Sequence, residues 1–401
     1  MLPRVKIQFT NGALGGVEPS ADSVGGLICS GVAVSGKLAL NTVYILYKLD
    51  DLTVLGITKN STDKNAFLYK TVKEFYAEAG DGAELWLMVV SQSVKASEMV
   101  DKTEDYATKL LKEANGRIRF LITAFNPSNS YTSSTTQGIE ADVIKAVTNA
   151  QALGEWVTED LYAPIFTIIE GREYDASKVT SLPDLTERTD NRVCVLIGDT
   201  VSGSKGSAVG ILGGRIAKCS VQRHIGRVGD GSLKAEEVYI GNLTPKQADV
   251  ETLNNKGYIT FRTFTGKSGY FFTDDSLATG YSDDYRSIAR RRTIDKAYRV
   301  VYDIMLEHVN DEISVTDEGE LTAPMCKAWE QEVISGIYNS MTINGELGVD
   351  TSDASDKGVK CYIDRQQKVL ATNKIEMNVQ VKPYGYAKYI DINLGFVVTE
   401  E

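Results

Sequence analysis

The chain has 401 residues, room for two to three domains at about 150 residues each. With 42% hydrophobic and 24% charged residues it is composed like a soluble globular protein, which excludes wholesale disorder and fibrous repeats. Its 43 basic and 54 acidic residues give a net charge of −11, the wrong sign for a protein that wraps nucleic acid. The five cysteines, Cys29, Cys194, Cys219, Cys326 and Cys361, are odd in number and never form a Cys-x-x-Cys pair, so neither a disulfide framework nor a thiolate zinc site is expected. Two histidines, His224 and His308, leave little material for imidazole catalysis or a histidine metal centre.

In chain order, Val5, Ile7 and Phe9 alternate with polar residues, the period of a strand with one buried face. This pattern has no apolar core of a signal peptide. Gly12, Gly15 and Gly16 then loosen the chain, and Gly25 and Gly26 extend that Gly-rich connection. The apolar stretch Val24 to Gly36 is thirteen residues long, too short to span a bilayer, so no membrane insertion is expected. From about residue 41 to 230, apolar strands at 42–47, 84–90, 118–125, 163–169 and 192–197 alternate with helical patterns at 63–79, 96–114, 139–157 and 207–218. Near-continuous apolar strands with crossover helices predict a mostly parallel α/β sheet. Beyond residue 230 the texture becomes α+β. A turn-and-strand region precedes a long helix, a second helix follows Pro324, and strands are expected at 358–363, 375–381 and 388–398.

Catalytic signatures are missing. Gly266-Lys267-Ser268 resembles the end of a P-loop, but Phe261 occupies the position of its first glycine, so a turn is expected and no nucleotide. Gly210, Gly213 and Gly214 follow a strand without forming Gly-x-Gly-x-x-Gly, and close helix packing explains them better. Cys219 lies five residues from His224 in a segment with no orienting acid, and no Gly-x-Ser-x-Gly elbow occurs. Asp350, Asp353 and Asp356 lack the glycine and glutamate of a calcium loop and read as a solvated loop. No catalytic, cofactor or metal residue is therefore assigned, and the chain is not expected to be an enzyme.

Arg286, Arg290, Arg291, Arg292, Lys296 and Arg299 lie on one helix whose apolar stripe is Ile294, Ala297, Tyr298, Val301, Ile304 and Met305. The basic positions read either as a solvated face or as a docking face for an acidic protein; direct nucleic-acid binding ranks below both. Several of the twenty tyrosines, among them Tyr281, Tyr285 and Tyr389, sit among small polar residues, as at protein interfaces.

The second half resembles the sheath subunit of contractile tails, the family of phage tails, phage-derived bacteriocins and related injection systems. The resemblance runs from Leu243-Thr244-Pro245 through Leu253 to Thr260, the turn Arg262 to Gly269 and the aromatic Tyr270-Phe271-Phe272. It continues into the Arg-rich helix at Arg290 to Ala297, a helix with Trp329, and closing strands up to Phe396, with a weaker fit at Gly213 to Ala217. Phe271 to Asp275 departs from the Gly-x-Arg-Thr type sequence of many sheaths.

The resemblance implies a core domain formed by the C-terminal half with the N-terminal segment, an inserted α/β domain, and extended terminal arms that add strands to neighbouring subunits. On this chain the division is an arm and linker at 1–20, an N-terminal part of the core at 21–40, the inserted domain at 41–230, the shared core at 231–387 and a C-terminal arm strand at 388–401. The arm residues are Val5, Ile7, Phe9, Ile390, Ile392, Leu394 and Phe396, with Gly12, Gly15 and Gly16 as hinge. Partners implied are further copies of the chain in a helical polymer of stacked rings, an inner tube held by the Arg-rich helix, and baseplate and terminator proteins. The polymer would assemble in the bacterial cytoplasm and contract by subunit reorientation to drive the tube through an envelope. The rival readings are another structural part of the same machine, or an α/β enzyme with a concealed carboxylate site.

Overall fold

The structure, a computed structural model, describes residues 21–59 and 63–396. The expected N-terminal arm residues Val5, Ile7 and Phe9, and the hinge at Gly12, Gly15 and Gly16, lie outside these. The chain divides into two compact units, Met1–Leu306 and Glu307–Glu401.

The first unit is built on a six-stranded sheet. Its strands are β1 (Gly25–Gly31), β2 (Val43–Leu46), β3 (Leu85–Ser91), β4 (Phe120–Ala124), β5 (Phe166–Glu170) and β6 (Val193–Leu196). Spatial order is β2-β3-β1-β4-β5-β6, with β2 antiparallel to β3 and the other pairs parallel. Leaving aside β2, the parallel strands follow the second-first-third-fourth-fifth order of a doubly wound fold. Helices cover both faces, as burial on both sides requires. On one face Leu27, Leu87, Ile122, Phe166 and Leu196 meet α1 (Asp63–Ala79) and, further along the chain, a helix at Val209–Lys218. On the other Ile28, Met88, Leu121, Ile169 and Val195 meet α2 (Ala107–Glu113) and α3 (Ala141–Asp160). The predicted helix at 96–114 is divided, with a short turn of helix at Ala96–Met99 and an irregular link before α2.

The central strand is the segment read from sequence as a flexible connection. Every residue of Gly25–Gly31 is buried. A side chain at Gly25 would meet the Phe120 ring at 2.9 Å, and one at Gly26 would meet Leu121 at 3.0 Å. The glycines make room for large neighbours on β4, and flexibility is not their role. The expected boundary at residue 41 therefore cuts through the sheet. The boundary at 230 fails similarly, because Ile197 N donates to Ile259 O at 2.9 Å and Ile259 N to Val195 O at 3.0 Å, covering the outer edge of β6.

Helix α4 (Val209–Lys218) carries the closest packing in the unit. A Cβ at Gly210 or Gly214 would fall well under 3.0 Å from the carbonyl oxygens of Thr71 and Phe75 on α1, and one at Gly213 would strike Ile122 on β4. The expectation of close helix packing thus holds. Arg215, 2% exposed, pairs with Glu78 on α1 at 3.1 Å and donates to Ser232 O at 3.0 Å, while Glu78 also accepts from the Lys234 amide. Then follow a short helix at Val250–Asn255, a pair of two-residue strands at Phe261–Arg262 and Phe271–Phe272, and α5 (Ile288–Leu306).

The second unit contains α6 (Ala323–Ile337), with Pro324 in its first turn, and the antiparallel pair β7 (Val359–Ile363) and β8 (Met377–Val381). Leu321, Cys326, Ile363 and Val369 form its small core. Buried Glu330 joins helix to hairpin by accepting from Ile363 N at 3.0 Å.

Substituting Gly214→Ala tests the α1 to α4 contact. In an open helix this change stabilises by about 1 kcal/mol, but against a backbone carbonyl overpacking of about 1–3 kcal/mol outweighs it. Urea unfolding should show a net loss, and a variant as stable as the wild type would refute the packing.

Candidate functional site

The Arg-rich helix α5 begins where Asp275 accepts from Ala289 N at 3.2 Å, an N-terminal cap that also suits the helix dipole. Its basic residues do not share one solvated face. Arg291 and Arg292 are buried at 7% and 4% exposure. Arg291 chelates Asp295 at 2.7 and 3.1 Å, and Arg192 from the start of β6 reaches the same carboxylate at 3.3 Å. Arg292 donates to Cys219 O at 2.9 Å and Ser220 O at 3.3 Å, capping the carbonyl end of α4. Lys296 and Arg299 pair with Asp22 at 2.7 and 3.0 Å; burial opposes them, but together they hold that carboxyl below its ordinary range. Only Arg286 and Arg290 of the six are left half-exposed without such an internal ion pair, Arg286 lying over the Tyr281 ring.

The apolar stripe is correspondingly displaced. Ala297 is fully buried, whereas Ile294, Tyr298, Val301, Ile304 and Met305 are half-buried. Tyr298, Tyr302 and Tyr162 form a stacked row with centroids 6.4 and 5.0 Å apart. The i, i+4 pairing of Arg291 with Asp295 was available to sequence reasoning. Asp22 and Arg192, more than ninety residues away in the chain, were not.

The C-terminal segment expected as an arm strand is not a strand in the isolated chain. Ile390, Ile392, Leu394 and Phe396 are exposed at 72%, 79%, 96% and 101%, and residues 388–396 have no regular structure. A strand needs a neighbouring strand to bond, and among the described residues 389–396 belong to no sheet.

Other sequence candidates resolve into local structure. Cys219 is buried and its thiol pKa is pushed up by that burial, which removes the thiolate a nucleophile needs. His224 faces Asp274 at 3.0 Å and Asp275 at 3.1 Å, the one set with metal-ligand spacing among the described residues. Its Nδ1 accepts from Gly226 N at 3.0 Å, which puts the ring proton on Nε2, the atom facing both carboxylates. A metal would need the Nε2 lone pair, so the set works as a hydrogen-bonded clamp. Asp350 and Asp353 each accept from the amide and hydroxyl of the serine two residues on, and Asp356 pairs with Lys382 at 2.8 Å, so their spacing reflects consecutive turns.

The carboxyl ends of the parallel strands, where doubly wound folds bind ligands, are closed by their own side chains. Glu170 at the end of β5 is fully buried, and its pKa is raised to about 7, chiefly by burial. Its oxygens accept from Phe125 N at 2.5 Å and Ser207 N at 3.2 Å. Arg172 bonds Glu140 at 3.0 Å and Phe125 O at 2.6 Å, and Asn126 N reaches Ser30 Oγ at 2.5 Å. Glu170 thus has the titration of a strand-end acid but not the access; it ties three loops together.

Against solved structures, the chain matches over 98% of its length a chain of the contracted anti-feeding prophage baseplate (TM-score 0.66, 14% identity, 98% of that chain). It matches the contracted helical sheath of the same particle (TM-score 0.62, 15% identity, 98% and 99% coverage). A third match is the contracted sheath complex of the extracellular contractile injection system PVC (TM-score 0.58, 15% identity, 98% and 97% coverage). The chain therefore has the fold of chains found in contractile injection particles. Family models assign residues 2–276 to the DUF2586 N-terminal domain and residues 284–400 to the DUF2586 C-terminal domain, and the chain belongs to that family. Among curated proteins no match is found.

Asp295→Asn strands Arg192 and Arg291 in the interior and should cost about 3–5 kcal/mol in chemical denaturation, whereas Arg286→Glu and Arg290→Glu should stay within about 0.5 kcal/mol. In the second unit, His308 sits between Asp311 and Glu332, both at 2.9 Å, and these bonds raise its pKa. A raised folded pKa stabilises fully below the unfolded value of about 6.5, and the effect is lost as pH rises through the folded value. The Tm gap between wild type and His308→Gln should be wider at about pH 5.5 than at about pH 9; equal gaps would remove the clamp.

Proposed function

We propose that the chain is a structural subunit of a contractile sheath, polymerising as a helical array of stacked rings around an inner tube and contracting by rigid-body reorientation of its subunits. The observation that carries this reading is a fold shared end to end with sheath chains, at 98% and 99% coverage for the contracted anti-feeding prophage sheath. The exposed C-terminal segment supports it. Four large apolar side chains alternating with polar residues are costly in water and are suited to a sheet in another subunit. The two-stranded sheet β7–β8 pairs with no third strand among the described residues; Glu330 takes the Ile363 amide of β7, and the outer edge of β8 is a physically suitable acceptor. Contacts that do not close on themselves produce an open helix. Energy held in lattice packing removes the need for a nucleotide, consistent with the filled crevice at the strand ends.

The proposed arms are Val5, Ile7 and Phe9 with their hinge at Gly12, Gly15 and Gly16, and Ile390, Ile392, Leu394 and Phe396. Of the basic helix, Arg286 and Arg290 are the residues left for the tube. The match to baseplate chains favours a second reading, a baseplate component of the same machine. Copy number separates the two, since a sheath is among the most abundant subunits of its particle.

Electron microscopy of the purified protein should show rods of stacked rings, and monomers under all conditions, with or without tube, would sink the reading. Deleting residues 388–401 should abolish rods while far-ultraviolet circular dichroism and melting stay those of a folded subunit; normal rods would refute the arm.

A further inference from the structure

Helix α3 ends on a strained aromatic residue. The Leu161 and Ala163 amides both donate to Val157 O, each at 3.2 Å, a closure that holds Tyr162 between them in the left-handed region at φ 53°. Glycine is the ordinary occupant of such a position, and a bulky side chain there strains the backbone. Burial does not explain the ring, because Tyr162 stays 49% exposed. One face of it lies on Tyr302, with centroids 5.0 Å and planes 14° apart, and Tyr302 stacks in turn on Tyr298. Tyr298 donates its hydroxyl to Thr158 O at 3.2 Å, which ties the row to the last turn of α3. The stack is therefore fixed at one end and presents a ring to solvent at the other. The surroundings are acidic: Glu159 and Asp160 are exposed, and the last turn of this 20-residue helix has no basic residue to answer its negative dipole end. Among the described residues neither Glu159 nor Asp160 makes an ion pair, their carbonyls accept no hydrogen bond, and no cation lies over the Tyr162 ring. One turn earlier the same helix already holds a cation this way, Lys112 lying 5.5 Å over the Trp156 ring.

We propose that the Tyr162 ring and the end of α3 form a recognition site for an arginine side chain of a partner protein. Charge complementarity selects the occupant: the ring face, the two carboxylates and the helix end all favour positive charge, and nothing in the site favours an aromatic or acidic group. Arginine suits it better than lysine. A guanidinium is flat enough to stack on the ring, and its fork of donors can meet carbonyls and carboxylates beside it, whereas an ammonium is a compact point charge. The stack is preformed, so little freedom is lost at the aromatic side when the cation arrives, which is what an anchor position in an interface needs. On this account the backbone strain at Tyr162 is tolerated because glycine, which would relieve it, offers no ring. The site does not depend on the sheath reading.

The probe is a rhodamine-labelled peptide of sequence Gly-Arg-Gly-Arg-Gly, with lysine or citrulline in place of arginine in two control peptides. Fluorescence anisotropy with the full-length protein at about 50 mM NaCl should rank arginine above lysine and show no binding of citrulline. Tyr162→Gly suits φ 53° and so keeps the subunit folded, by circular dichroism and melting, while weakening the arginine peptide at least about fivefold. Tyr162→Phe keeps the ring face and should bind as the wild type does. Glu159→Gln/Asp160→Asn should weaken binding at least about threefold and flatten its dependence on salt. Equal binding by wild type and a folded Tyr162→Gly overturns the proposal, since the peptide is then held by the general negative field of the chain. Citrulline bound as tightly as arginine, lysine bound as tightly as arginine, or no binding of the arginine peptide to the wild type overturns it as well. None of these results touches the sheath reading, which stands or falls on rods.

Discussion

The contact of α4 with α1 at backbone distance constrains the first unit most. It exists because Gly210 and Gly214 present no side chain to the Thr71 and Phe75 carbonyls, and because Gly213 admits Ile122 from the sheet on the other side. Arg215, packed on this helix, is buried, and its guanidinium is answered by Glu78 and by backbone carbonyls at Gly231 and Ser232. That pairing fixes the loop leading away from α4. At the same carbonyl end of the helix, Arg292 bonds the carbonyls of Cys219 and Ser220. One glycine-lined contact therefore sets the position of a buried ion pair, a loop and the first turns of α5.

The same economy governs charge. The Arg-rich helix looks in sequence like a surface for an acidic partner, but in the fold it is an internal fastener: Arg291 and Arg192 share Asp295, and Lys296 and Arg299 share Asp22. Burying such groups is tolerable only where each finds a carboxylate or a carbonyl. In the second unit the same holds at the surface, where Lys368 pairs with Glu320 and Lys382 with Asp356.

What could be read from the sequence depended on whether the cause was local. Leu85–Ser91 and Phe166–Glu170 announce buried strands by near-continuous apolar runs, and Asp63–Ala79 announces a helix by its period. The central strand was hidden, since Gly25 and Gly26 owe their presence to Phe120 and Leu121, almost a hundred residues away. The basic helix misled for the same reason: Asp22 and Arg192 become its neighbours only through the fold. Alternation at 388–398 led to the expectation of a strand, but a strand is a property of pairs, and residues 388–396 belong to no sheet among the described residues.

Asp22 also has a mechanical meaning. Its carboxylate is held by two cations on a 19-residue helix, just ahead of the strand at the centre of the sheet. A pull on the chain upstream of this residue is met first by Lys296 and Arg299, and passes into α5 before it reaches the hydrogen bonds of β1. Any load carried in through the upstream chain would thus be shared with a helix of 19 residues, and the middle strand of the sheet would not bear it alone.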